Sequence, residues 1–215
     1  MAVSLPSLQP FTWTILENVY EAEFLKQLRE CALQEAGKIC KKYRIPHRSD
    51  SIHKEGIVQT RGIKRFEIYL QSEIFSAARL LFPDPLTKLL QQVMDTDDFE
   101  CSSVSMLRSY PGSSDQKPHC DAVELFGSIP STTLPCYYLS VFIPLQPVTA
   151  ANGPTDIGGI RTALQMNQVL VFDGRVTHFG TGNTSTEVND KLMLVYKRPW
   201  FMDLNNDWTY AAVVD

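Results

Sequence analysis

Val169-Leu170-Val171-Phe172-Asp173-Gly174-Arg175-Val176-Thr177-His178 opens as a run of four apolar residues and closes on a turn and a histidine. A short apolar run bounded by Asp-Gly predicts a strand buried on both faces rather than a surface helix. Working outward, the same texture recurs in Ser102–Tyr110, Tyr137–Leu145, Ala163–Phe172, Leu192–Lys197 and Thr209–Val214. These segments are rich in β-branched, aromatic and apolar residues and are separated by Gly, Pro, Ser and Asn turns. Upstream the period changes. Val19, Phe24, Leu25, Leu28, Cys31, Ala32 and Ala36 recur three or four apart, which predicts a helix over 17–43. A second helical patch is expected from Ser72 to Met94, broken at Pro83-Asp84-Pro85. Between them, 44–66 reads as irregular, with Pro46, Gly56 and Gly62 along it, and is the expected lid.

Helices followed by an all-β half, with no strand–helix alternation, argue against a parallel α/β sheet. The predicted fold is α+β, mainly β with flanking helices. Its core is a barrel or jelly roll (a cupin-like double-stranded β-helix) with N-terminal helices packed on one face. A single domain over 1–215 is expected, with 1–100 as helical support and candidate lid and 101–215 as the jelly-roll core.

Composition excludes several classes. With 44% hydrophobic and 20% charged residues the chain is neither disordered nor fibrous. No apolar run reaches the ~18 residues of a membrane span, and Met1–Pro10 lacks the pattern of a secretory signal. The 5 cysteines, odd in number and without a C-x-x-C, support neither a disulfide framework nor a zinc ribbon, so reduced thiols in a cytoplasmic protein are expected. Residues 21–66 carry 11 Lys/Arg against 6 Asp/Glu, a balance of +5 that leaves −9 for the remainder of a chain of net charge −4. No Lys/Arg run marks bulk nucleic-acid binding, and oligomeric state is left open.

The chemistry-bearing residues are few, because the chain has only 4 histidines. In Pro118-His119-Cys120-Asp121 an extended backbone puts His119 and Asp121 on one face and Cys120 on the other. An H-x-D arises by chance about a quarter of the time in such a composition, so the motif alone decides nothing. His178, 59 residues on, is the natural third ligand, since that separation spans several strands and can return beside the first. Two histidines and one carboxylate on one side of a metal leave positions open on the other. That suits a redox-active Fe(II) binding a chelating cosubstrate and O2; a zinc hydrolase needs fewer open positions and a general base. His47 and His53, in the irregular segment, are read as surface residues.

Three segments, in order, carry a family resemblance: Pro111-Gly112-Ser113 with Gln116 and His119-Cys120-Asp121; Phe142-Ile143-Pro144-Leu145 with Asn152-Gly153-Pro154-Thr155; and Phe172-Asp173-Gly174-Arg175 through His178 to Asn183-Thr184-Ser185. Over 107–198 the chain resembles the phytanoyl-CoA hydroxylase family of Fe(II)/2-oxoglutarate-dependent dioxygenases. The resemblance implies His119, Asp121 and His178 as iron ligands, with Thr155 and Gln116 against 2-oxoglutarate. In that family the far carboxylate of 2-oxoglutarate meets an arginine after the distal histidine. Here that register falls on Asn189, and Lys191 is the nearest cation, with Lys197 and Arg198 as fallbacks. The family's segment after Asn-Gly-Pro-Thr is replaced by Gly158-Gly159-Ile160-Arg161.

Asp121 separates the chain from related halogenases, which lose this carboxylate, and points to hydroxylation or another hydrogen-abstraction outcome. Gln59, Arg61 and Arg65 are the candidate contacts to substrate. The leading expectation is an oxygenase acting on a small molecule. A protein or peptide hydroxylase on the same scaffold, and a metal-binding roll without turnover, stay open; a closed pocket favours the first and a flat approach to the metal the second.

Overall fold

A computed structural model of the chain describes residues 11–46, 52–54, 56–122, 125 and 134–203. The strand expected at Thr209–Val214, His47 and part of the expected lid lie outside the described residues. Eight strands form one antiparallel sheet in the order β1 (Trp13–Glu17), β9 (Gln168–Asp173), β6 (Tyr138–Pro144), β11 (Asn189–Lys197), β5 (Glu100–Ser109), β4 (Arg65–Tyr69), β3 (Ile57–Gln59) and β2 (His53–Lys54). A second sheet of three strands runs β10 (His178–Gly180), β7 (Thr155–Ile157), β8 (Ile160–Thr162). This is the mainly β roll with flanking helices that the sequence predicts.

Strand alternation gives the large sheet two different faces. On β11, Leu192, Leu194 and Tyr196 point one way and join Val141, Ile143, Met106 and Ile68 in a core against the helices. Leu28, Ala32 and Ala36 of α1 (Ala22–Tyr43) and Leu86, Leu90 and Met94 of α3 (Asp84–Met94) supply the other side of that core. Met193 and Val195 point the opposite way, with Phe142, Leu170 and Phe172, toward the small sheet. Lys191 shares that second face, which is where the functional residues gather.

The helices end where local chemistry demands. α1 stops at Arg44, left-handed at φ 56, whose N–H caps Cys40 and Lys41 carbonyls. α3 begins just after Pro83 with Pro85 in its first turn, where a missing N–H costs nothing. A four-residue helix α2 (Ala78–Leu81) precedes that break. No helix among the described residues is long and apolar enough to cross a membrane.

The structure departs from expectation at several boundaries. Trp13–Glu17 is a strand paired with β9, so the first helix starts at Ala22 rather than 17. The segment 44–66 is not irregular throughout: β2, β3 and the start of β4 lie in it and extend the large sheet to its edge. The strand expected at Ala163–Phe172 starts only at Gln168, as β9, and a separate short strand, β8, ends just before that segment at Thr162. His178 opens a strand of its own, in the small sheet.

Candidate metal and cosubstrate site

Two stretches distant in sequence lie antiparallel and build the site. Gly112 N–H donates to Asn183 O at 2.8 Å, Gln116 N–H to Gly180 O at 2.9 Å, and Asp121 N–H to Gly174 O at 2.7 Å. Between them His119 and His178 exchange both backbone hydrogen bonds, at 3.0 and 2.9 Å. The 59-position separation of these histidines is thus closed by backbone pairing before any ligand is considered. Asn183 anchors one end: its buried amide donates to Ser109 O and Glu187 O and its oxygen accepts from Ser185 N–H, the side-chain turn that asparagine makes well.

The ligating atoms of His119, Asp121 and His178 all lie within 4.8 Å of one another. His119 Nδ1 sits 2.8 Å from Lys117 O and His178 Nδ1 3.0 Å from Val176 O, so each ring turns its Nε2 inward. Those nitrogens stand 3.7 Å from Asp121 Oδ1 and 3.5 Å from Asp121 Oδ2. Tying the outer nitrogen to a carbonyl fixes ring orientation and leaves Nε2 as the ligand, the usual support of a metal-binding histidine. Ser140 Oγ donates to Asp121 Oδ2 at 2.7 Å. Phe172 packs edge-on against His178, with ring centres 4.6 Å apart.

The electrostatics keep Asp121 an anion between the two imidazoles. Burial works to raise the Asp121 carboxyl, but His178, Ser140 and His119 outweigh it and hold it down to about 2. Burial and the neighbouring His178 ring lower His119, so a neutral imidazole is favoured there. His178 is opposed by burial but raised on balance by Asp121. Two nitrogens and one carboxylate on a single side, with no cysteine among them, form a donor set that fits Fe(II) with open positions opposite.

The three ligands line a cavity of about 350 Å³ that also takes in Thr155, Gln116, Lys191, Arg61, Arg65 and Gln59. Lys191 is buried in its wall, with Nζ donating to Thr155 Oγ1 at 3.0 Å and lying 4.8 Å from the centre of the Phe142 ring. Burial, then the nearby Arg65 guanidinium, brings the Lys191 ammonium down to about 7. Asn189, where the family register places an arginine, turns its amide to Asn152 O and Gly153 O. Gln116 Oε1 accepts the Gly180 N–H at 2.8 Å.

Arg65 sits on β4 rather than in a loop. Its guanidinium donates to Ser114 O, to Ser109 Oγ at 2.9 Å and to Thr181 O, spanning the floor beneath Gly180. Arg61 is exposed at the cavity margin, and the Gln59 amide donates to Gly62 O. Arg198 is elsewhere: its guanidinium donates to Cys136 O and to Met94 O at the end of α3, outside the cavity lining. Lys197 likewise donates to Phe201 O and pairs with Glu100 at 3.3 Å. The Gly158-Gly159 pair, at φ 61 and 87, makes the tight turn between β7 and β8, and Arg161 reaches back to Asp156. His53 lies exposed on β2.

Sequence reading missed Glu67, Tyr69 and Tyr138, which line the same cavity. The signal was present in Arg65-Phe66-Glu67-Ile68-Tyr69, whose alternation puts Phe66 and Ile68 in the helix-side core and the other three toward the cavity.

No protein-family model matches the sequence, and no curated protein matches it. Solved structures do. EvdMO1 superposes with a TM-score of 0.62 at 15% identity over 89% of this chain; this chain spans 48% of the EvdMO1 chain. HygX from Streptomyces hygroscopicus, solved with nickel, 2-oxoglutarate and hygromycin B bound, has a TM-score of 0.60 at 13% identity, covering 90% of this chain and 86% of its own. SnoN, a non-heme α-ketoglutarate-dependent epimerase from nogalamycin biosynthesis, has a TM-score of 0.59 at 14% identity, covering 88% and 80%. The chain therefore has the fold of non-heme 2-oxoglutarate-dependent enzymes.

Proposed function

We propose that the protein is an Fe(II)- and 2-oxoglutarate-dependent dioxygenase that hydroxylates a small organic molecule. One atom of O2 would enter the product hydroxyl and the other succinate, with CO2 released. The observation that carries this reading is the convergence of His119, Asp121 and His178 on one cavity with the buried Lys191–Thr155 pair. His119 Nε2, His178 Nε2 and the Asp121 carboxylate would hold the iron, whose contribution when bound is to couple O2 reduction to decarboxylation of the cosubstrate.

The chain's own residues have distinct tasks. Lys191, supported by Thr155 Oγ1, meets the far carboxylate of 2-oxoglutarate as a point charge rather than as a bidentate fork. Phe142, beneath Nζ, excludes water from that contact. Gln116 and Arg65 stiffen the strand segment after His178. Ser140 orients Asp121. A cavity that takes in all three ligands supports a small-molecule substrate over a protein one.

The test is anaerobic titration of Fe(II)-loaded protein with 2-oxoglutarate, following the visible charge-transfer band of the chelate. A band that saturates with 2-oxoglutarate is expected; its absence in the wild type removes the dioxygenase reading.

A further inference from the structure

We propose that the substrate carries a cationic nitrogen, and that Glu67, with the rings of Tyr69 and Tyr138 beside it in the cavity wall, receives that nitrogen. This deepens the dioxygenase reading and rests on it. Glu67 lies on the cavity face of β4 and keeps part of its surface open to the cavity. Ser105 Oγ donates to Glu67 Oε1 at 2.8 Å, and the Tyr69 hydroxyl donates to the same carboxylate. Both are neutral donors. Among the described residues no cation pairs with Glu67; burial pushes its carboxyl up to about 7, and a ligand cation beside it would hold it ionised.

Three of the cavity's cations are committed elsewhere: Lys191 is on Thr155, Arg65 is on Ser109, Ser114 and Thr181, and Arg108 is on Asp190, while Arg61 is exposed at the margin. Glu67 pairs across the sheet with Leu107, and Leu107 with Lys191. Glu67 and Lys191 thus stand on the same face two strands apart, about 10 Å at the backbone, with the Leu107 side chain between them. One side of the cavity presents positive charge to an anionic cosubstrate; the other presents a carboxylate and two electron-rich ring systems. Carboxylate plus aromatic faces is the surface that recognises ammonium groups, through a charge-assisted hydrogen bond or, for a quaternary nitrogen, cation–π contact. At about 350 Å³ the cavity is at the low end for ligand sites and must hold the cosubstrate as well, so the amine is small.

Ligand-observed NMR on the full chain loaded with Zn(II) and 2-oxoglutarate tests this without turnover. The probes are matched pairs: choline against 3,3-dimethylbutan-1-ol, benzylamine against benzyl alcohol, and cyclohexylamine against cyclohexanol. The expected result is binding of the amines at least ~10-fold tighter than of their neutral partners, a preference erased by Glu67→Gln and partly kept by Glu67→Asp. Equal binding within the pairs, no amine binding at millimolar concentration, or a preference that survives in Glu67→Gln overturns the proposal; the wild-type comparison needs no variant to fold. The 2-oxoglutarate signals in the same samples report separately on the cosubstrate. Loss of their binding refutes the dioxygenase reading and this proposal together, whereas intact cosubstrate binding with indifferent amines refutes the proposal alone.

Discussion

Replacing Lys191 by methionine removes the ammonium while keeping most of the side-chain volume, and the structure assigns opposite signs to its effects on ligand binding and on stability. Nζ makes one hydrogen bond, to Thr155 Oγ1 at 3.0 Å, and is otherwise buried beside a second cation, Arg65. Hydrogen bonds to charged groups contribute about 1.5–3 kcal/mol, so loss of the contact to the cosubstrate carboxylate weakens 2-oxoglutarate binding about 10- to 150-fold. The same substitution takes an uncompensated charge out of the interior, so the ligand-free fold becomes more stable and its melting midpoint rises. The pH dependence follows from the depressed ammonium. Burial and Arg65 bring it to about 7, so the cation is present below that pH and lost above it. Binding of an anionic cosubstrate then requires proton uptake above pH 7, and affinity falls as pH rises to 9. Lys191→Arg, which cannot deprotonate in this range, flattens the profile. The measurements are anaerobic charge-transfer titrations at pH 6.5, 7.5 and 8.5 and a thermal melt of each ligand-free protein. Unchanged 2-oxoglutarate affinity in Lys191→Met, or a lowered melting midpoint with affinity intact, would show Lys191 to be a structural residue and refute the reasoning.

Three further perturbations address the supporting shell. Ser140→Ala removes the hydroxyl that donates to Asp121 Oδ2 and should weaken metal affinity about 10-fold in a competition titration with a chromophoric chelator. At Gly174 an added Cβ would collide with the Tyr138 ring, while the carbonyl of Gly174 accepts the Asp121 N–H. Gly174→Ala should therefore cost about 1–3 kcal/mol in urea unfolding and lower metal affinity in parallel. Arg198→Gln should leave 2-oxoglutarate affinity untouched and lower stability by about 1 kcal/mol, because the guanidinium ties the end of α3 to Cys136; a cosubstrate defect would place Arg198 in the site after all.

The convergence of His119, Asp121 and His178 was legible because two local signals coincide: an extended His-x-Asp, and a histidine just after an apolar strand. The apolar faces of the strands were legible for the same reason, since Leu192, Leu194 and Val171 have nothing to do but pack. What escaped is the stretch from Ile57 to Tyr69. Its strands are short, and the inward side of β4 carries Arg65 and Glu67, so a rule that looks for apolar residues on the inner face finds charges there instead. Those charges face a cavity, not solvent. The start of β11 was placed late for a related reason: the strand was expected only from Leu192, after the polar Asn189, Asp190 and Lys191, yet Asp190 is bound by Arg108 at 2.7 Å and Lys191 by Thr155.

The two-faced sheet divides the protein's vulnerabilities. Because β11 sends Leu192, Leu194 and Tyr196 to the helices and Lys191, Met193 and Val195 to the roll interior, the strand is a party wall between a structural room and a chemical one. The Arg108–Asp190 pair, directly opposed in register, pins it against the one-residue slip that would exchange the rooms. Under the proposed function, substrate range is therefore to be redesigned at Glu67, Tyr69, Leu107 and Met193, which line the cavity and lie outside the packing that holds α1 and α3. Lasting damage to the fold is to be sought at the even positions of β11, one side chain away.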